Sequence, residues 1–225
     1  MTTKPDNSGL LVIDKPQGVT SHDVVAAVRG ALQMKRVGHA GTLDPMATGV
    51  LVVGFGNATR LLNYIVDHDK TYLATIRLGQ RTTTDDADGE LLPEEGTIAE
   101  FPSRQTVEDA IAHHFTGRIE QVPNSYSAIK INGQRAYDLR RNGADVELKP
   151  KHIRIDSIEL MDFSPETMQA TIRVACGKGT YIRALARDIG RALQSGAYLT
   201  QLCRTKSGDS HIENCLSLDT FDEWL

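Results

Sequence analysis

Asp44 is the only acid in residues 38–49, Gly-His-Ala-Gly-Thr-Leu-Asp-Pro-Met-Ala-Thr-Gly, where it sits among three glycines and a proline. Gly38, Gly41 and Gly49 permit turns closed to residues that carry side chains. Pro45 fixes its own φ and turns Asp44 away from helical geometry. A carboxylate held on stiff, non-repetitive chain suits a nucleophile or a charge stabiliser, since catalytic groups are often presented from loops anchored on rigid elements. The same residues also suit an Asx-turn in which Asp44 only caps its own loop.

A second set lies far along the chain, where Cys176-Gly-Lys-Gly-Thr180 forms a glycine-rich turn running into a helix. A nucleotide P-loop needs a further glycine at position 172, which is Ile172 here, so that reading fails. Amides at a helix start together with Lys178 suit one backbone phosphate, and a plain turn with a solvated lysine fits equally. Arg183, Arg187 and Arg191 recur every fourth residue and line one helix face. Arg187 and Arg191 read as a solvated stripe. Arg183 stands in the first turn, where a cation opposes the helix dipole, so it calls for a negative neighbour: Asp44 or a phosphate.

The acidic residues 82–103 invite a metal reading. In an EF-hand frame with Gly89 sixth, Asp86, Asp88 and Glu95 fall at ligand positions, but Thr84 sits where the first Asp belongs and Pro93 intrudes. No metal site is expected. Cys176, Cys203 and Cys215 lack C-x-x-C spacing and read as reduced thiols, with neither a disulfide framework nor a zinc site indicated.

The elements that must hold these groups follow from periodicity. Residues 9–14 read as a buried strand, ended by the turn Lys15-Pro16-Gln17-Gly18. Ser21 is the expected N-cap of a helix to about Leu32, with Val24, Val25, Val28 and Leu32 on its apolar face. After the Asp44 loop come a strand over 50–53 and a short helix that Asn57 caps. Residues 71–78 alternate, Tyr72, Ala74, Ile76 and Leu78 against polar neighbours, and predict a strand.

Further on, Thr106 opens a helix to about His114, and Asn132-Gly133 suggests a tight turn. A short helix is expected over 136–142, stopped by Gly143. Residues 146–163 and 167–176 are strand-rich. Thr180 is the expected cap of a helix to about Gln194, with Ile182, Leu185, Ala186, Ile189 and Leu193 as its stripe. A strand over 198–205 and a terminal helix over 218–225 complete the reading. Strands outnumber helices without regular alternation, which predicts an α+β fold with a mixed, mainly antiparallel sheet.

The bulk numbers are those of a globular protein: 225 residues, 40% hydrophobic and 24% charged. No stretch has the length of a transmembrane helix and the N-terminus lacks a signal-peptide core, so the cytoplasm is expected. The net charge of −4 is unevenly spread. Residues 82–109 hold nine acids against one arginine, whereas residues 130–151 hold six basic residues against three acids. A local basic face is therefore compatible with an RNA partner despite the acidic total.

These motifs meet in one family. The Gly38 to Gly49 stretch, with Lys15-Pro16-Gln17-Gly18 and Lys70-Thr71-Tyr72 flanking it, and Lys178-Gly179-Thr180-Tyr181-Ile182-Arg183 later, resembles the bacterial TruB tRNA pseudouridine synthases. Four separated motifs fall in the right order between about Gly9 and Thr205. The resemblance implies the pseudouridine synthase fold with a mobile, thumb-like insertion, here the basic residues of about 120–150. It implies an isomerase that converts the T-loop uridine at tRNA position 55 to pseudouridine, working without metal or cofactor, and a monomer is expected.

The resemblance also implies roles. Asp44 matches the catalytic aspartate, Tyr72 the tyrosine that stacks on the flipped base, and Arg183 the arginine that ion-pairs with the aspartate. His39 matches a histidine that helps expel the base. Tyr181 and Leu202 match residues at the pocket, and Asp86 an aspartate close to it. Lys15 and Lys178 complete the expected substrate contacts. Two departures stand out: the chain ends at Leu225 without the family's usual C-terminal RNA-binding domain, commonly of the PUA type, and Pro123-Asn124 replaces an expected pair of prolines. The chain is thus read as one catalytic domain over 1–225.

The chemistry asks for the same residue types. Breaking an N-glycosidic bond and reattaching the base through carbon needs a nucleophile or charge stabiliser, a base and a closed pocket. A nucleophilic carboxylate must stay ionised, which a neighbouring guanidinium favours and burial alone opposes. Extruding a base costs a few kcal/mol and stacking it on an aromatic ring returns about 1–3 kcal/mol, so phosphate contacts must supply the net affinity. Attack at ribose C1′, attack at uracil C6 and a glycal route all fit these residues. Two other classes fit parts of the pattern: a tRNA-binding module using residues 130–151 and Lys178, and a glycoside hydrolase pairing Asp44 with Asp86.

Overall fold

The computed structural model describes residues 7–93, 102–126, 130, 131, 134, 135, 148–218 and 220. The expected helix over 136–142, most of the one expected over 218–225 and most of the basic insertion lie outside the described residues. Among the described residues ten strands form a mixed, mainly antiparallel sheet with helices on its faces, the expected α+β class, and two short strands pair separately. By internal packing the chain groups into two units, residues 1–73 with 201–225 and residues 74–200.

In the first unit, β1 (Gly9–Lys15) leads to α1 (Ser21–Ala31), β2 (Val37–Ala40) and β3 (Thr48–Phe55). Both β1 and β2 run antiparallel to β3, with Ile13 opposite Leu51 and His39 opposite Val53. β3 reads as an unbroken apolar run because both its faces are covered. Leu51 and Val53 join Ile13, Val24, Val25 and Val28 under α1, while Val50 and Val52 pack with Ala40 and Leu62 on the other face. Leu62 opens the one-turn α2 (Leu62–Ile65), which follows a 3-10 turn, Gly56–Leu61.

The N-cap of α1 is Thr20 rather than the expected Ser21. Thr20 Oγ1 accepts from the Asp23 amide at 3.1 Å and the Thr20 amide donates to Asp23 Oδ2 at 2.8 Å, a reciprocal capping box. Ser21 is buried, and its hydroxyl serves the Asp44 loop.

β4 (Lys70–Leu78) and β10 (Ala197–Ser207) each run through the division between the units. The second unit holds α3 (Arg104–His114), β5 (Gly117–Gln121), the two-residue strands β6 (Lys130–Ile131) and β7 (Gln134–Arg135), β8 (Lys151–Ser164), β9 (Gln169–Cys176) and α4 (Ile182–Ala192). Its strand order is β4-β9-β8-β5, with β8 antiparallel to both neighbours. Ile182, Leu185, Ala186 and Ile189 are buried, as their spacing predicts. β10 ends in the first unit, where it pairs parallel with β3, Arg204 opposite Gly49 and Cys203 opposite Thr48. Two further short strands follow, β11 (Ser210–His211) beside β10 and β12 (Leu216–Ser217) parallel to β1.

Candidate active site

Asp44 lies half-buried in the loop between β2 and β3, and neighbouring groups grip this loop chiefly by its backbone. Ser21 Oγ donates to Leu43 O at 3.0 Å and accepts from the Leu43 amide at 2.9 Å. On the other side of Asp44, Pro45 O accepts from the Gly18 amide at 2.8 Å. The Ala47 amide closes a turn onto Asp44 O at 3.0 Å. Gly41 and Gly49 take φ of +82° and +100°, the left-handed conformations that their residue type permits. Asp44 is thus fixed by anchors on the residues before and after it, and the loop is tied to α1 and to the Lys15 turn.

Lys15 differs from its expected role. It is fully buried, and Nζ donates to Pro16 O at 2.8 Å, Val19 O at 2.7 Å and, at 3.4 Å, Pro45 O. It tethers the Lys15 turn and the Asp44 loop through these carbonyls. Burial lowers its pKa from 10.5 to about 8, against the raising pull of Asp44 and with a further lowering by Arg204. Since the unfolded chain holds this proton up to 10.5 and the folded one only to about 8, the unfolded state binds more protons between those values. This group's contribution to stability is therefore lowest below pH 8 and rises as pH climbs toward 10.5. Lys15→Met is expected to flatten that rise, as read from urea denaturation midpoints at pH 7, 8, 9 and 10.

His39 lies on β2 and is half-buried; burial, then the charges of Arg204 and His22, lower its pKa and favour the neutral imidazole. Tyr72 on β4 is buried at 8% exposure, as is Leu202 on β10, whose carbonyl accepts from Thr48 Oγ1 at 3.4 Å. These five residues (Lys15, His39, Asp44, Tyr72 and Leu202) belong to the first unit.

Asp86, Lys178, Tyr181 and Arg183 belong to the second unit. Arg183 is buried, and its Nη1 donates to Asp86 Oδ2 at 3.1 Å and Thr84 O at 3.2 Å, while Nη2 donates to Tyr126 O at 3.2 Å. Asp86 answers the need for a negative group beside this first-turn cation. Its other oxygen accepts from Thr84 Oγ1 and from the Asp88 amide. Asp86 is therefore engaged with protein on both oxygens and holds Arg183, where the sequence reading makes it a substrate contact. Among the described residues no group of three or more His, Cys, Asp or Glu is arranged around an ion.

Arg187 corrects the solvated-stripe expectation. Its side chain is 9% exposed, donating to Asp85 Oδ2 at 2.9 Å, Val122 O at 2.6 Å and Asp188 Oδ1 at 3.0 Å. Only Arg191, 60% exposed, fits the stripe. Asp85 takes a φ of +61°, a strained conformation that Asp tolerates better than most residues. That backbone turn sends two consecutive aspartates to two arginines one helical turn apart.

The N-cap of α4 is Tyr181, not Thr180, and it has no side-chain cap. Instead the Gln121 side chain accepts from the Tyr181 amide at 2.9 Å and donates to Tyr181 O at 3.1 Å. Thr180 Oγ1 turns back to Gly177 O at 3.1 Å. Lys178 is exposed in the turn ahead of the helix, and Gly179 there takes a φ of +80°.

Sequence reasoning missed Arg204. It is 1% exposed, and Nε donates to Val50 O at 2.7 Å and Nη2 to Gly41 O at 3.0 Å, one acceptor on each side of Asp44. Its signal was the two-residue spacing from Leu202, which places both on one face of β10.

Comparison with known proteins gives a consistent picture. A family model described as TruB family pseudouridylate synthase (N terminal domain) matches residues 29–182. A tRNA pseudouridine synthase B of Bifidobacterium longum (strain DJO10A) is 52% identical over 89% of this chain and 63% of its own length. That of Phocaeicola vulgatus is 49% identical over 96% of this chain and 92% of its own. A crystal structure of a Cbf5-Nop10-Gar1 complex contains a chain 29% identical, with a TM-score of 0.71, covering 96% of this chain and 54% of that one. The chain spans somewhat less than two thirds of the length of the Bifidobacterium relatives it matches.

Proposed function

Because the chain belongs to the TruB family of pseudouridylate synthases, we propose that it isomerises a uridine of tRNA, the T-loop uridine at position 55, to pseudouridine. The observation that carries this reading is the Asp44 loop: the single acid of residues 38–49 on a rigid bend, in a chain about half identical to proteins named tRNA pseudouridine synthase B. Asp44 is the catalytic carboxylate, acting on the ribose or on the uracil while the glycosidic bond exchanges. Tyr72 stacks against the extruded base, Leu202 shapes the pocket and Tyr181 is a further substrate contact. Arg183 is the guanidinium of the catalytic set, with Asp86 fixing its orientation. His39, neutral near pH 7, displaces the base without adding a charge to the pocket. Lys178 meets a backbone phosphate of the T-arm, and the basic residues of about 120–150 close over the RNA. The enzyme works as a cytoplasmic monomer with no metal or cofactor.

The reaction is mass-neutral, so the test is chromatographic nucleoside analysis of an unmodified tRNA after incubation with the purified chain. The expected result is one pseudouridine per tRNA, at the T-loop, in buffer containing a chelator. Binding with a steep salt dependence but an unchanged nucleoside profile overturns the proposal in favour of a binding module.

A further inference from the structure

Gly41 and Gly49, at the two ends of the Asp44 loop, both meet one residue. A Cβ at Gly49 would lie 2.3 Å from the carbonyl oxygen of Arg204, and one at Gly41 would lie 3.4 Å from its Nη1. The start of β3 thus rests on the backbone of Arg204, while the guanidinium reaches back across the loop to bond Gly41 O and Val50 O. Ser21 and Lys15 hold the middle of the loop, and Arg204 closes its ends. A fully buried guanidinium bonded to main-chain oxygens is an expensive way to stabilise a fold, since an apolar residue of similar volume often serves a core as well or better. Its charge also reaches Lys15 and His39, which places a cation in the midst of the groups around Asp44.

We infer that Arg204 is a positioning residue for the reaction, fixing both ends of the Asp44 loop so that the carboxylate meets the target nucleotide in one geometry. This rests on the function proposed above, and it assigns Arg204 no contact with RNA. Misplacing a reacting group by about 1 Å costs on the order of a hundredfold in rate, whereas binding of RNA elsewhere is untouched.

Two variants separate this role from general packing. Arg204→Met keeps the length and removes both donors and the charge; Arg204→Lys keeps the charge and loses the fork. Hydrogen exchange of peptides covering 41–50 is followed beside peptides from α1 and α4. The Met variant is expected to exchange at least about tenfold faster in 41–50 with α1 and α4 unchanged. Its single-turnover rate is expected to drop about a hundredfold while the tRNA Kd stays within threefold. The Lys variant falls between. Unchanged exchange in 41–50, or exchange that rises equally everywhere, overturns the assignment; so does a loosened loop with an intact rate. If the Met variant does not fold, the Lys variant carries the same criteria. A wild-type chain that leaves tRNA unmodified speaks against the proposed function alone, because the exchange data still decide whether Arg204 holds the loop.

Discussion

Asp44→Asn is expected to lower single-turnover pseudouridine formation by more than about a thousandfold while tRNA binding stays within a few-fold of wild type. The substitution keeps the size of the side chain and removes only its charge. The anchors flanking it act on Leu43 and on Pro45 O, and the turn to Ala47 uses the carbonyl of residue 44, so none depends on the carboxylate. Hydrogen exchange of peptides covering 41–50 in the Asn variant separates lost chemistry from a loosened loop. Filter binding beside a chromatographic single-turnover assay checks both halves, and an Asn variant that turns over within tenfold of wild type removes Asp44 from the reaction.

The second large effect concerns stability. Asp85→Ala is expected to cost about 3 kcal/mol, the lower end of the range for stranding one member of a buried ion pair. Arg187 would lose its 2.9 Å partner while 9% exposed, yet Asp188 still accepts from Nε. Asp188 is only a partial substitute: it is 23% exposed, and burial raises its pKa against the lowering effect of Arg187. In a chain of this length that cost corresponds to a Tm lower by about 6–12 °C. Asp85→Asn separates charge from backbone, because Asn tolerates the positive φ at this position. Urea denaturation of both variants checks the prediction. A change below 1 kcal/mol for the Ala variant would mean that the pair contributes little beyond its own desolvation.

The parts of the fold legible in the sequence are those with a strong local period. β4 alternates Tyr72, Ala74, Ile76 and Leu78 inward, and all four are buried. α4 shows its stripe equally plainly. β2 and β5 escaped because neither carries enough apolar residues: Val-Gly-His-Ala is four residues long, and Gly-Arg-Ile-Glu-Gln is a mostly exposed edge strand. Helix starts slipped by one or two residues, since Thr20, Ser21 and Thr180 are all chemically able to cap and only the backbone decides.

The candidate site divides in the same manner. Asp44 stood out through its neighbours in sequence, and Arg183 through its conflict with the helix dipole. Arg187 did not, because a four-residue charge period identifies a helix face without revealing what covers it. Its cover comes from Asp85 and Val122, 102 and 65 positions away. Lys15 read as a substrate contact in a turn, and its carbonyl acceptors, two of them within four residues and one thirty away, could not be read from the sequence. Arg204 was hidden by the same distance effect.

That distance has a consequence for synthesis. Arg204 bonds Val50 O across 154 positions and Gly41 O across 163. At about 5–20 residues per second, a ribosome needs roughly 8–30 s after making the loop before it reaches this arginine. Throughout that interval the nascent polypeptide carries its carboxylate on a bend that still lacks the arginine tying both ends in the finished fold.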